Sequence, residues 1–186
     1  MALADWEVVQ TPDDLVNAVE LRSDKVFEGS KALFLATEYA PLVHKQTMTD
    51  KPVSGAVKTY VLFPPNTGAM AIVFKVIDQN NMLFVYLAHY GGEVGIETLI
   101  NGTSDNPYYA NTGVSLESDV WYIVEAICDD ENNTITIRVK DTDENILLEH
   151  AIPNAIPAEL KGKGGGIGID GTREGIYIDL TKIYYP

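Results

Sequence analysis

Hydrophobic residues lie in long runs between residues 68 and 102, and short polar or glycine-rich segments separate the runs. Residues 69–77 and 82–90 are rich in β-branched and aromatic residues and flank the segment DQNN at 78–81. Two glycines at 91–92 separate the second run from residues 93–100. Segments of this composition between apolar runs are typical of β-hairpin turns. The pattern predicts three consecutive antiparallel strands, a meander around which we expect the rest of the chain to be organised.

Side chains of a strand alternate between the two faces of its sheet, so a strand register assigns each residue of the meander to one face. We expect Ile77 to lie opposite Met82, and Tyr90 opposite Glu93. One face is then apolar and is predicted to form core: Met70, Ile72, Phe74, Val76, Leu83, Val85, Leu87, Val94, Ile96 and Ile100, with His89 and Thr98 near its edge. The other face mixes small, aromatic and charged residues: Ala71, Val73, Lys75, Ile77, Phe84, Tyr86, Ala88, Tyr90, Glu93 and Glu97.

The mixed face has the chemistry of a sugar-binding surface. In the expected register Tyr86 lies directly opposite Glu97, and Lys75 lies on the same face. The C–H faces of a pyranose stack on aromatic rings, while its hydroxyls need charged or amide partners. An ordinary half-covered sheet face has the same composition, so the pattern leaves both interpretations open.

Short apolar runs bounded by turn residues continue on both sides of the meander. Residues 6–9, 55–63 and 176–185 predict further strands, and residues 121–140 predict a hairpin whose turn pairs Cys128 with Asn133. Residues 103–119, which contain Tyr108 and Tyr109, are polar and weakly periodic, and predict a long loop. With about eleven to thirteen short strands and hardly any helix, the sequence predicts an all-β fold of two antiparallel sheets.

Length and charge narrow the possible functions. A chain of 186 residues is expected to form a single β-sandwich domain, 1–186. Its net charge of −14 argues against nucleic acid and anionic membranes as partners, because both are bound through clustered Lys and Arg. No apolar run approaches a membrane-spanning length and no signal peptide begins the chain, so we expect a soluble protein, extracellular or on a virion surface only if it is processed or viral.

The chain resembles the concanavalin A-like lectin/glucanase superfamily, the jelly-roll sandwiches that include laminin G-like domains and many carbohydrate-binding modules. The resemblance spans most of the chain and rests on short motifs: EGSKAL at 28–33, the meander with its Asn-rich turn, Trp121-Tyr122 before an Asp/Asn turn, GGIGI at 165–169 and YID at 177–179. It implies two antiparallel sheets, one of them curved, with glycans recognised on a concave face or by the loops at one edge.

The resemblance also suggests a cofactor. In some related carbohydrate-binding modules a structural calcium ion is held near the opening and the final strand, and Glu28 and Asp179 fall in the matching motifs. A solvated acid in a turn and an ordinary acid on a strand explain the same pair equally well. Calcium is the metal that the resemblance implies, with Glu28 and Asp179 as its candidate ligands, and the sequence leaves both interpretations open.

Catalytic motifs of the superfamily are missing from the sequence. Its glucanases carry Glu-x-Asp-x-x-Glu, which places two carboxylates about 5–5.5 Å apart for retaining hydrolysis, and no such motif is present. Glu93 and Glu97 lie four residues apart on one predicted strand, roughly 13 Å at the backbone, too far for such a pair. The Gln-x-His and Tyr-x-Lys-x-Gly motifs of the alginate-lyase branch are also absent. The sequence therefore predicts a protein without catalytic activity.

The leading hypothesis is a lectin-like domain that binds a glycan or polysaccharide. Its predicted contact residues are Lys75, Tyr86, Tyr90, Glu97, Tyr108 and Tyr109. A second hypothesis is a structural or assembly protein, such as a viral capsid, fibre or surface-layer component, because jelly rolls are common in capsids; it implies a homo-oligomer. A third is a diverged glycoside hydrolase or polysaccharide lyase.

Overall fold

Almost every segment of regular structure is a β-strand. The computed structural model describes residues 3–9, 17–37, 40–172 and 174–186. The strands are β1 Trp6–Val8, β2 Asn17–Arg22, β3 Ala32–Thr37, β4 Leu42–His44, β5 Gly55–Leu62, β6 Ala69–Asp78, β7 Asn81–Ala88, β8 Glu93–Ile100, β9 Thr103–Asn111, β10 Trp121–Asp129, β11 Thr134–Lys140, β12 Ile146–Pro153, β13 Gly166–Asp170 and β14 Ile176–Tyr184. A 3₁₀ turn, Leu3–Asp5, precedes β1, and one short helix, α1 Lys45–Asp50, follows β4.

The strands form two seven-stranded antiparallel sheets. Sheet A has the order β1-β4-β13-β6-β7-β8-β9, and sheet B has the order β12-β11-β10-β5-β14-β3-β2. The two sheets enclose one hydrophobic core, to which β6 and β7 contribute Phe74 and Leu83 and sheet B contributes Leu35, Val61 and Ile137. The predicted two-sheet jelly-roll sandwich is confirmed. No helix in the described parts of the chain is long and apolar enough to cross a membrane.

The predicted meander is confirmed as β6, β7 and β8, but its register changes along the strands. At the first turn Asp78 pairs with Asn81, as expected, whereas beyond a bulge Phe74 pairs with Leu83 instead of Val85. A shift of two residues leaves every side chain on its face, because alternation in a strand has a period of two. The predicted core face is therefore in the core apart from Val76, which joins a cluster on the opposite face.

The bulge overturns the prediction for Lys75. This residue has a left-handed backbone, with φ of 54°, which interrupts the alternation of β6. Its side chain is only 1% exposed, and its Nζ lies 2.5 Å from Oδ1 of Asp130, which follows β10 in sheet B. The same Nζ donates hydrogen bonds to the carbonyl oxygens of Val53 and Lys163. Lys75 thus connects the two sheets from inside and is absent from the mixed face.

The predicted loop at 103–119 is wrong over its first half, where β9 forms the edge of sheet A beside β8. An edge strand has one neighbour and is largely exposed, so its sequence need not be apolar or regular. Pro107 is tolerated there because an edge strand has backbone N–H groups without a ladder partner. The pairing with β8 also shifts by one residue between Ile96 and Thr98.

The second predicted hairpin is confirmed as β10 and β11, two residues out of the expected register. Cys128 pairs with Ile135, and Glu125 with Arg138, so the predicted inward and outward faces are retained. Cys128 is buried in the core. Burial raises the pKa of its thiol to about 12.

Replacing Lys75 tests the connection between the sheets. We expect Lys75→Met to lower the free energy of unfolding by about 3–5 kcal/mol, because the Asp130 carboxylate would stay buried without its counter-ion. Urea unfolding measures this change. Lys161→Met removes an exposed lysine and should cost less than about 0.5 kcal/mol. Equal costs for the two variants would contradict a stabilising role for the pair.

The thiol of Cys128 offers a second test. With a pKa of about 12 it should be unreactive in the native protein, because thiolate is the attacking species in alkylation. We expect iodoacetamide at a pH of about 8 to label Cys128 only after urea is added, as measured by mass spectrometry. Rapid labelling of the native protein would show that this end of the core opens readily.

Candidate functional site

The outward side of β6–β9 carries the mixed set of residues that the sequence placed on one face. We call this surface the Tyr86 face, and it comprises Ala71, Phe84, Tyr86, Glu93, Gly95, Glu97 and Tyr109. Part of it is a hydrophobic cluster in which Phe84 packs with Val73 and Leu99, beside Tyr86 and Met48 of α1. The aromatic and acidic residues of this face therefore lie beside a packed hydrophobic cluster.

Tyr86 lies directly opposite Gly95 on β8, and not opposite Glu97 as predicted. A Cβ atom at Gly95 would come within 2.2 Å of Cζ and Oη of Tyr86, so only glycine leaves room for the ring in this position. The ring is half-buried. Burial, followed by the charges of Glu93 and Glu97, raises the pKa of the Tyr86 phenol. The aromatic ring is thus held against the sheet beside two carboxylates.

Residues of β9 hold these two carboxylates in place. Oη of Tyr109 donates to Oε1 of Glu93 at 2.5 Å, and Oγ of Ser104 donates to Oε1 of Glu97 at 2.7 Å. The hydrogen bond to Glu93 is the main cause that raises the pKa of Tyr109. Tyr109 is nevertheless 56% exposed. The edge strand therefore supplies both an accessible ring and the groups that orient the acids.

A cleft of about 280 Å³ lies beside Tyr86. Its lining residues come from β6, β7, β8, β9 and the end of β13: Ala69, Met70, Ala71, Phe84, Tyr86, Glu97, Asn106, Asp170, Gly171 and Thr172. Sequence analysis missed Asn106, Asp170 and Thr172, because β9 was predicted to be a loop and no local motif shows that β13 lies beside β6. The one available signal was the glycine-rich GGIGI segment, which Asp170 follows directly.

Asp170 is the most buried acid of the cleft, at 4% exposure. Its Oδ1 accepts hydrogen bonds from Oγ1 of Thr37 at 2.6 Å and from the backbone N–H of Gly171 at 3.0 Å. Such bonds offset the cost of burying a carboxylate. Nearby, the hydroxyl oxygen of Thr172 is buried and has no hydrogen-bond partner among the described residues. Asp170 and the Thr172 hydroxyl thus add two buried polar groups to the lining of the cleft.

Three of the predicted contact residues lie elsewhere. Lys75 is buried between the sheets, as described above. Tyr108 points to the opposite side of β9 from Tyr109, and its Oη lies 2.7 Å from Nε2 of His150 on β12. Tyr90 is exposed in the turn after β7, where its Oη accepts from the backbone N–H of Asn66. The structure therefore brings together Tyr86, Glu97 and Tyr109 from the predicted set.

The two candidate calcium ligands, Glu28 and Asp179, are in contact. The contact is made by the backbone of Glu28 and not by its carboxylate. The N–H of Glu28 donates to Oδ2 of Asp179 at 3.1 Å, and the N–H of Leu180 donates to Oδ1 at 2.9 Å. The Glu28 side chain is exposed. No group of three or more His, Cys, Asp or Glu side chains that could hold a metal occurs among the described residues. Calcium at Glu28 and Asp179 stays a prediction.

No family model and no curated protein matches the sequence. Solved structures match in fold: the carbohydrate binding module CBM66 from Bacillus subtilis has a TM-score of 0.61 at 11% identity, over 97% of this chain and 95% of that chain. Chicken galectin 2 has a TM-score of 0.51 at 12% identity, over 69% and 88%. The GH43 protein BlXynB from Bacillus licheniformis has a TM-score of 0.57 at 13% identity, over 98% of this chain and 37% of that chain. The chain has a concanavalin A-like jelly-roll fold.

Gly95→Ala tests how Tyr86 is held. The added methyl group would overlap the ring, so we expect Tyr86 to move into solvent and the pKa of its phenol to fall towards the ordinary value, because burial is the first cause of its rise. NMR titration of the tyrosine ring carbons measures this pKa. Gly68→Ala is the matched control, since its Cβ would meet nothing closer than 4.0 Å. An unchanged Tyr86 titration in Gly95→Ala would refute the contact.

Proposed function

We propose that this chain is a non-catalytic, lectin-like domain that binds a glycan on the Tyr86 face. The observation that carries the proposal is the half-buried ring of Tyr86 beside a cleft with Glu97, Asp170 and Asn106 on its walls. Two proteins of similar fold are named as a carbohydrate binding module and a galectin, which supports the same class of function.

Each part of the cleft has a use in sugar recognition. The apolar C–H face of a pyranose can stack on Tyr86, and its hydroxyls can donate to the carboxylate oxygens of Glu97 and Asp170. The Asn106 amide can both donate and accept. A volume of about 280 Å³ lies just below the usual range of about 300–1,000 Å³ for small-molecule sites. The cleft therefore suits one sugar unit, with the rest of a glycan extending past Tyr109.

Glu93 and Glu97 are not arranged as a pair of hydrolytic acids. Glu93 and Glu97 lie on one strand, and each is hydrogen-bonded to a different residue of β9. Retaining and inverting hydrolysis both need two carboxyl groups on either side of one glycosidic bond. The likeness to the GH43 protein covers only 37% of that chain, so it is a likeness in fold and carries no activity to this chain.

Tyr86→Ala should weaken glycan binding about 5–150-fold, the equivalent of about 1–3 kcal/mol for an aromatic stacking platform. A glycan array identifies a ligand for the unmodified chain, and calorimetry with that ligand measures the change. Tyr184→Ala is the matched control, because Tyr184 is 53% exposed on β14 of the other sheet. Equal affinities for both variants would exclude the Tyr86 face as the binding surface.

The same experiment separates binding from assembly. An array without any bound glycan, together with a multimeric mass by light scattering, would replace the proposed function with a structural or assembly role. If Tyr86→Ala then dissociated the multimer, the Tyr86 face would be its interface.

A further inference from the structure

We propose that His150 of sheet B is a positioning residue for glycan binding on the opposite sheet, and that it acts through its hydrogen bond to Tyr108 of β9. This bond holds β9 in place, and β9 carries Asn106 and Tyr109 to the cleft and its margin. The inference rests on the proposed function and adds a residue outside the cleft on which the affinity depends.

The edge strand β9 is weakly secured beside the cleft. It pairs only with β8, and this pairing shifts between Ile96 and Thr98. Between those two pairs one residue of β8, Glu97, faces two residues of β9, Asn106 and Pro107, in a β-bulge. A bulge leaves one residue unpaired, and proline has no N–H to donate. Fewer backbone hydrogen bonds therefore hold β9 at the point where Glu97 and Asn106 line the cleft.

Tyr108, the first residue after this bulge, is bonded to the other sheet. It is half-buried and packs against the core, and its Oη lies 2.7 Å from Nε2 of His150 on β12. Among the described residues, no other side-chain hydrogen bond joins β9 to sheet B. His150 is itself placed by the pairing of its backbone with Ile137, a core residue of β11. Sheet B thus supplies a fixed point for a strand that its own sheet holds incompletely.

The bond to His150 also determines where the outward neighbour of Tyr108 lies. Side chains alternate along a strand, so Tyr109 points to the opposite side, where its Oη donates to Oε1 of Glu93. Hydrogen bonds weaken steeply as their geometry departs from the ideal, so a displaced β9 would loosen this contact with Glu93. The inner bond at Tyr108 therefore controls the outer bond at Tyr109.

Two substitutions at residue 150 separate the hydrogen bond from the mere presence of a polar side chain. The amide of glutamine reaches about as far as Nε2 of histidine and can donate or accept, so His150→Gln should keep the bond. Asparagine is one methylene shorter, so His150→Asn should break it. Tyr108→Phe removes the same bond from the β9 side. Tyr177→Phe is the matched control, because it removes another Oη bond of 2.7 Å, to Asp24, elsewhere on sheet B.

Calorimetry with the tightest-binding oligosaccharide of the glycan array measures the effect on affinity. We expect His150→Asn and Tyr108→Phe each to weaken binding about fivefold, the size expected for the loss of one neutral hydrogen bond. His150→Gln and Tyr177→Phe should bind like the unmodified chain. The double variant with His150→Asn and Tyr108→Phe should bind no more weakly than either single variant, because both substitutions remove one interaction.

NMR titration of the tyrosine ring carbons gives a second readout that needs no glycan. The hydrogen bond to Glu93 is the main cause that raises the pKa of Tyr109. We therefore expect this pKa to fall towards the ordinary value in His150→Asn and in Tyr108→Phe, and to stay raised in His150→Gln.

The outcomes distinguish the two proposals. An unchanged Tyr109 titration in His150→Asn, or equal losses of affinity in His150→Asn and His150→Gln, would overturn the positioning role and leave the lectin function standing. An array with no bound glycan of any class would overturn both proposals.

Discussion

The two sheets are linked by a buried charge contact, between Lys75 and Asp130, that has to be satisfied inside the protein. An ammonium and a carboxylate both lose hydration in the core, which several hydrogen bonds must offset. Lys75 donates to two backbone carbonyls as well as to Asp130, and the N–H of Gly162 donates to the same carboxylate. One ion pair therefore joins β6 of sheet A to the end of β10 in sheet B. The left-handed backbone that permits it resets the register of the meander.

The meander and its two faces could be predicted because strand side chains alternate with a period of two. A register error of two residues therefore leaves each side chain on its predicted face. Both register errors within the meander amounted to two residues, so Tyr86 and Glu97 stayed on one face although they are not directly opposite each other. The bulge could not be predicted, because a left-handed φ is uncommon for lysine and the partner of this lysine, Asp130, lies far along the chain. The edge strand β9 was not predicted for a different reason. Most of its residues are exposed to solvent, so its sequence lacks the apolar pattern of an inner strand.

The candidate site was predicted only in part, since it is assembled from distant segments. Tyr86 and Glu97 belong to the meander, whereas Asp170 lines the cleft because its strand, β13, lies beside β6. Gly95 cannot be recognised as a site residue from the sequence alone. Its role, to leave room for the Tyr86 ring, follows only from the position of that ring in the structure. The bulge and the site are also linked, because the inward turn of Lys75 leaves the outward face to aromatic rings and acids.

Much of the cleft's polar margin belongs to β9, the strand that contributes least to the core. Ser104, Asn106 and Tyr109 are on this edge, and most of its residues are exposed. Substitutions at exposed positions usually change stability little. Under the proposed function, ligand preference can therefore diversify during evolution at small cost to folding, while the buried residues near the cleft keep the scaffold constant. In this sense β9 is the evolvable part of the molecule, and a natural target for engineering new specificities.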